Sequence, residues 1–336
     1  MFNDYPHLMS LIKTQPPTQE VSLTNIKEAS VYEEALRLLE KQSLSKRQRI
    51  VVFNRLVPIE GKPTNVAIWA PKHAVEEGSD PFKPTKPMRY YLTHKGEAIR
   101  ARSIQAKSDV QVTKFCLLLP GFNGGPFDQF HLAEALAKKG YWVISVGCYI
   151  NPELKPSDDP DKIALALEDA YATYPAILQT FTELTGLALS AETLSEVRYV
   201  SFSAGIYPLL RAVRKGHCPK WQHRVLLMAP GLSATPGQAK LLTQAPVSRM
   251  DLIHSEQDTH PTFGDPLHYL TFFDASRTQL HLLPKGEHYD FIHLPLSVTK
   301  DANTTPTGGF TQSQHEHAVK QECLAVLDSL IHGETR

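Results

Sequence analysis

From residue 113 onward, short apolar runs alternate with stretches of helical periodicity, and this alternation constrains the fold more than any other feature of the chain. Strands that read as near-continuous apolar runs are buried on both faces, and intervening helices supply the crossover connections that parallel strands need. FCLLLPGFNGG, beginning at Phe115, reads as a buried strand entering a glycine-rich loop. FDQFHLAEALAKKG reads as a helix with Gly140 suited to the position just past its end. YWVISVGCYI gives the next strand, and DKIALALEDAYATYPAILQTFTEL one long helical stretch kinked at Pro175. VRYVSFSAG is a strand running into small residues, and HRVLLMAP, SRMDLIHSEQD and TQLHLLPKGEH continue the series. The closing helix, QHEHAVKQECLAVLDSLIHG, offers Ala318, Cys323, Leu324, Val326, Leu327 and Leu330 for burial. The pattern predicts an α/β fold with a mostly parallel central sheet flanked by helices.

The first 88 residues follow a different grammar. After Ser30, a potential cap, Val31, Ala35, Leu38 and Leu39 form one helical stripe. RIVVFNRLVPIEG and TNVAIWAP read as antiparallel strands about a turn at residues 61–63, and GSDPFKPTKP at 78–87 reads as a surface connector. RYYLTHKGEAIRARSIQ then predicts a hairpin turning at Lys95 and Gly96. The expected organisation is an N-terminal extension over 1–88, made of a helix plus an antiparallel strand pair, followed by one domain over 89–336.

Charge points to no polyanionic partner: Lys plus Arg equals Asp plus Glu at 35 each, so neither nucleic acid nor an anionic membrane surface is favoured. The run SKRQR at 45–49 reads as a solvated helix end. Cys116, Cys148, Cys218 and Cys323 are widely separated and form no C-x-x-C pair, which argues against a zinc site or a disulfide framework. The N-terminal residues show no basic segment followed by an unbroken apolar one, and no apolar run approaches bilayer-spanning length. The expectation is a cytoplasmic protein without a transmembrane segment. His315 and His317 bracket Glu316 on a polar helix start without an evident third ligand, so no metal is expected there.

The chemistry concentrates at strand ends. Ser201, Phe202, Ser203, Ala204 and Gly205 follow the G-x-S-x-G pattern with serine in place of its first glycine. Such a turn lifts the central hydroxyl above the sheet and aims a helix N-terminus at it. A serine hydroxyl also needs a general base, and the base an anion to orient it. Asp258 follows the strand SRMDLIHSEQ and His288 follows TQLHLLP, so both fall beyond strand C-termini in the order Ser203, Asp258, His288. Asp251, near its strand's start, and Asp265, further along the loop, are the rivals for the acid. Among the 15 histidines, His254 reads as a packed or surface-facing strand residue, and His260 lies too close to Asp258 to be its partner.

In LLLPGFNGG, SFSAG, IHSEQDTHP and GEHYDF the chain resembles the α/β-hydrolase superfamily from about residue 89 to 333. The resemblance implies a serine hydrolase with Ser203 as nucleophile, His288 as base and Asp258 as acid. It also implies oxyanion donors at the backbone N–H groups of Phe122 and Ala204, and no cofactor or metal. Three departures stand out: Ile206 where a small residue is common, Pro208 early in the following helix, and Ser201, which is expected to support the turn. The gap between VLLMAP and SRMDLI is about 18 residues, too short for an elaborate lid. Phe127, Tyr149 and Ile150, with Phe122, are the expected apolar lining of a substrate pocket. The implied substrate is a small-molecule or lipid acyl ester. An acyltransferase using the same residues, a peptidase, and a non-catalytic binding protein on the same fold are the alternatives.

Overall fold

The computed structural model describes residues 51–75, 89–92, 98–101, 107–121, 124–126, 128–148, 169–216, 223–231, 247–258, 276–292 and 315–332. The helix expected at 31–43 and the connector at 78–87 lie outside these residues.

Among the described residues the central sheet has eight strands: β1 (Val51–Ile59), β2 (Lys62–Trp69), β3 (Phe115–Leu119), β4 (Trp142–Val146), β5 (Arg198–Phe202), β6 (His223–Met228), β7 (Val247–Ser255) and β8 (Thr278–Leu283). Their spatial order is β1-β2-β4-β3-β5-β6-β7-β8. From β4 to β8 every neighbouring pair is parallel, whereas β2 joins β4 antiparallel and carries β1 as the outer edge. The antiparallel pair expected near residues 51–70 is therefore hydrogen-bonded into the central sheet, with Val66 opposite Val146 and Trp69 opposite Val143. A separate antiparallel pair joins Arg89–Leu92 to Ala98–Ala101, as expected; the turn expected at Lys95 and Gly96 lies outside the described residues.

Burial explains the apolar runs. Every residue of β3, β4 and β5 is buried, because helices cover both faces. Five α-helices are described: α1 (Phe130–Lys138), α2 (Tyr174–Thr185), α3 (Ala191–Ser195), α4 (Tyr207–Arg214) and α5 (Glu316–His332). Phe181 of α2 meets the Phe115 and Trp142 rings edge-on, with centroids 4.8 and 5.7 Å away. Gly140 follows α1 at φ +90° and donates to the Ala137 carbonyl, as its placement past the helix end requires.

Two features depart from expectation. Pro175 kinks nothing: Thr173 is extended and Pro175 lies in the first turn of α2, where the missing N–H would have had no helical acceptor. On α5 the buried apolar set is Val319, Cys323, Val326, Leu327 and Leu330. Ala318 is exposed and Leu324 half-buried, because the stripe is rotated by one residue at the helix start.

Asp251 sits at the middle of β7, wholly buried, gripped by Arg249 through Nε at 2.8 Å and Nη2 at 3.0 Å, with His281 Nε2 3.0 Å away. This is a structural cluster beneath α5, whose Ser329 accepts from Arg249 at 3.0 Å. No helix among the described residues is long and apolar enough to cross a membrane.

Candidate active site

The C-terminal ends of the parallel strands gather the chemistry. β5 ends at Phe202, and the chain passes through a single 3-10 turn, Ser203–Ile206, into α4. Ser203 has φ +49°, a left-handed conformation that costs a non-glycine residue on the order of 1 kcal/mol or more. The surroundings hold it there. A Cβ on Gly205 would overlap the Leu119 carbonyl oxygen and lie 2.8 Å from that of Pro120, so the turn passes against the end of β3 only because residue 205 is glycine. Tyr199 Oη donates to the Gly205 carbonyl at 2.8 Å from within β5, tying the turn back to its own strand. Pro208 lies in the first turn of α4, where its missing N–H costs nothing and its fixed φ suits the helix start. Ile206 is fully buried in the core. Ser201 is buried as well, but its hydroxyl has no hydrogen-bond partner among the described residues; it does not support the turn in that way.

The histidine and acid arrive from neighbouring loops. His288 opens a 3-10 turn, His288–Phe291, after β8, and its Nε2 lies 3.1 Å from Ser203 Oγ. Its Nδ1 lies 2.7 Å from Asp258 Oδ2. Histidine and carboxylate are both nearly shut from solvent, with side chains 6 % and 3 % exposed. Phe202 packs its ring on the imidazole, centroids 4.9 Å apart, and on Phe291 behind it. His254 is packed, as one of its two expected placements had it, and its Nδ1 is 3.8 Å from the same Asp258 oxygen. With Nε2 facing the hydroxyl as acceptor, Nδ1 carries the ring proton and donates to Asp258.

Two backbone segments adjoin Ser203. Ala204, fully buried, directly follows Ser203 in the 3-10 turn, and the first amides of a helical turn lack helical acceptors. After β3, Gly121 packs so tightly that a Cβ would lie 2.9 Å from the Phe202 ring and 3.1 Å from Ser203 Cβ. Gly124 donates to the Gly121 carbonyl at 2.8 Å, closing the loop, and the buried Asp128 carboxylate accepts from Gly125 at 3.2 Å. Tyr171, whose hydroxyl is pushed well above its ordinary pKa by burial, stays protonated and donates to the Pro120 carbonyl at 3.0 Å. Phe122, Phe127, Tyr149 and Ile150 lie outside the described residues, as do His260 and Asp265.

The structure thus brings together Ser203, His288 and Asp258, with Ala204 next to Ser203 in the chain, while Asp251 is committed elsewhere. The clamps made by Tyr171, Tyr199 and Asp128 have no counterpart in the sequence reading. Asp128, a lone carboxylate just after a glycine-rich loop, is the one with a local signal. Among the described residues no group of three or more His, Cys, Asp or Glu side chains is arranged so that it could hold a metal ion. Burial pushes the Cys116 and Cys323 thiols up, which makes them inert packing residues.

No family model matches the chain, and neither does any curated protein sequence. Among solved structures it is similar to XC6422 of Xanthomonas campestris, described as an α/β serine hydrolase without a lid, at 13% identity over 86% of this chain and 98% of that one, TM-score 0.45. It is also similar to Est1E of Butyrivibrio proteoclasticus in its ferulic acid complex, at 10% identity over 84% and 100%, TM-score 0.46. A third is esterase 2 of Thermogutta terrifontis phosphorylated by paraoxon, at 11% identity over 86% and 95%, TM-score 0.49. On its own strand order, the sharp turn after β5 and the loops after β7 and β8 that meet it, the chain has the α/β-hydrolase fold.

Proposed function

We propose that the protein is a serine hydrolase that cleaves a carboxylic ester through an acyl-enzyme on Ser203. The observation that carries this reading is the continuous contact from Ser203 Oγ through His288 to Asp258, made by a serine whose backbone is held at φ +49°. Backbone strain of this kind is concentrated at active sites.

His288 Nε2 takes the Ser203 proton as Oγ attacks the ester carbonyl, forming the C–O bond of a tetrahedral intermediate. Asp258 holds Nδ1–H and stabilises the imidazolium without accepting its proton. The intermediate collapses as His288 returns the proton to the departing alkoxide, releasing the alcohol. Water then attacks the acyl-enzyme, giving its proton to His288, and the carboxylic acid leaves as Ser203 recovers its own. The Ala204 N–H supplies one oxyanion donor. The second, at Phe122, rests on the family resemblance, as does the assignment of Phe127, Tyr149 and Ile150 to an apolar acyl pocket. Each donor aimed at the developing charge contributes about 3 kcal/mol to lowering the barrier.

A panel of p-nitrophenyl esters of increasing acyl length tests the reading. Turnover that peaks at one chain length and vanishes in Ser203→Ala supports it. Equal, low turnover in both proteins would show that the ester bond is not cut at Ser203.

A further inference from the structure

We propose that Ser255, the last residue of β7, is a positioning residue that sets the distance between His288 and Asp258; this rests on the hydrolase reading of the site. The acid and the histidine stand on separate loops, three residues beyond Ser255 and two beyond Gly286 respectively. One hydroxyl links those loops. Ser255 Oγ donates to the Gly286 carbonyl at 2.6 Å and accepts from the Gln257 N–H at 3.3 Å, so it touches the backbone on both sides of the His288–Asp258 contact. Its own carbonyl accepts from the Asp258 N–H at 3.1 Å, which folds the acid back over the strand end.

The surroundings leave the link little freedom. Ser255 is buried, 1% exposed, and Gly286 is buried beside it. Gly286 has φ +138°, and a Cβ there would lie 2.7 Å from Val319 Cγ2 of α5 and 3.4 Å from Ser255 Oγ. On the far side, the Asp290 carboxylate accepts from the Glu287 N–H at 2.7 Å, so the backbone flanking His288 is held from both directions. Removing the Ser255 hydroxyl leaves the buried Gly286 carbonyl without that donor. The His288 loop then keeps the Glu256 N–H, which donates to the Leu283 carbonyl at 2.9 Å, and the reacting pair itself as links to the acid loop. A loop displacement well under the length of a bond is enough to weaken catalysis, because about 1 Å of misplacement can cost about 100-fold in rate.

The test compares wild type with Ser255→Ala and Ser255→Thr, the latter restoring a hydroxyl. The expected result for Ser255→Ala is a kcat lowered about tenfold or more with KM little changed, and a shifted or broadened downfield proton resonance from His288 Nδ1–H. Ser255→Thr recovers part of both. A Ser255→Ala protein with wild-type kcat and an unmoved resonance overturns the proposal, even if its melting temperature falls. The resonance needs no substrate, so it reads positioning independently of turnover. A wild-type protein that a fluorophosphonate does not label instead overturns the hydrolase reading, and the resonance comparison still decides the role of Ser255.

Discussion

Tyr199 and Gly205 are joined across the turn that carries Ser203, the tyrosine hydroxyl donating to the glycine carbonyl at 2.8 Å. The strand that delivers the serine thus also pins the first turn of the helix that follows it, while Gly205 itself lies against the end of β3. The substitution Gly205→Ala is expected to destabilise the protein by about 3 kcal/mol or more, since the new methyl meets backbone that cannot step aside. Urea denaturation measures this, and an unchanged midpoint would remove the close approach from the account.

Strain at Ser203 makes a second, opposite prediction. Ser203→Ala and Ser203→Gly both remove the hydroxyl, but only glycine adopts φ +49° without steric cost. The glycine variant is expected to be the more stable of the two by about 1 kcal/mol, with neither turning over substrate. Paired denaturation curves check it; equal stabilities would mean the turn is not strained.

Burial sets a pH dependence away from the site. Both ring nitrogens of His131 on α1 are shut from solvent, and burial, aided by the Lys320 ammonium, pushes its pKa down to about 3 from 6.5. The unfolded chain therefore takes up a proton that the folded one refuses as pH falls below about 6.5. This contribution to stability is fully present above that value and is lost on acidification toward about 3, with a slope of up to about 1.4 kcal/mol per pH unit. His131→Gln is expected to flatten the fall in stability between pH about 6.5 and about 4, and denaturation series at stepped pH read the difference.

The parallel sheet was legible because a strand covered on both faces must be apolar throughout, and FCLLL and YWVISV declare this locally. The chain order of Ser203, Asp258 and His288 was legible for the same reason: parallel topology sends every strand end to one edge. One proline was misleading. Pro175 sits inside helical periodicity yet opens a helix, because Thr173 is extended, whereas Pro208 lies early in its helix, as its place in the sequence has it. The attachment of β2 to β4 was hidden, since a hairpin's sequence carries its own register and not that of the edge it joins. The clamps from Tyr171 to Pro120 and from Ser255 to Gly286 join residues 51 and 31 positions apart, distances at which no local spacing leaves a trace.

Covalent labelling tests the central claim most directly. Incubation with a fluorophosphonate, followed by peptide mapping, is expected to place the adduct on Ser203 in wild type, to show none in Ser203→Ala, and to show a labelling rate lowered by about 100-fold or more in His288→Ala. A folded wild-type protein that stays unmodified, or carries the adduct on another serine, would contradict it.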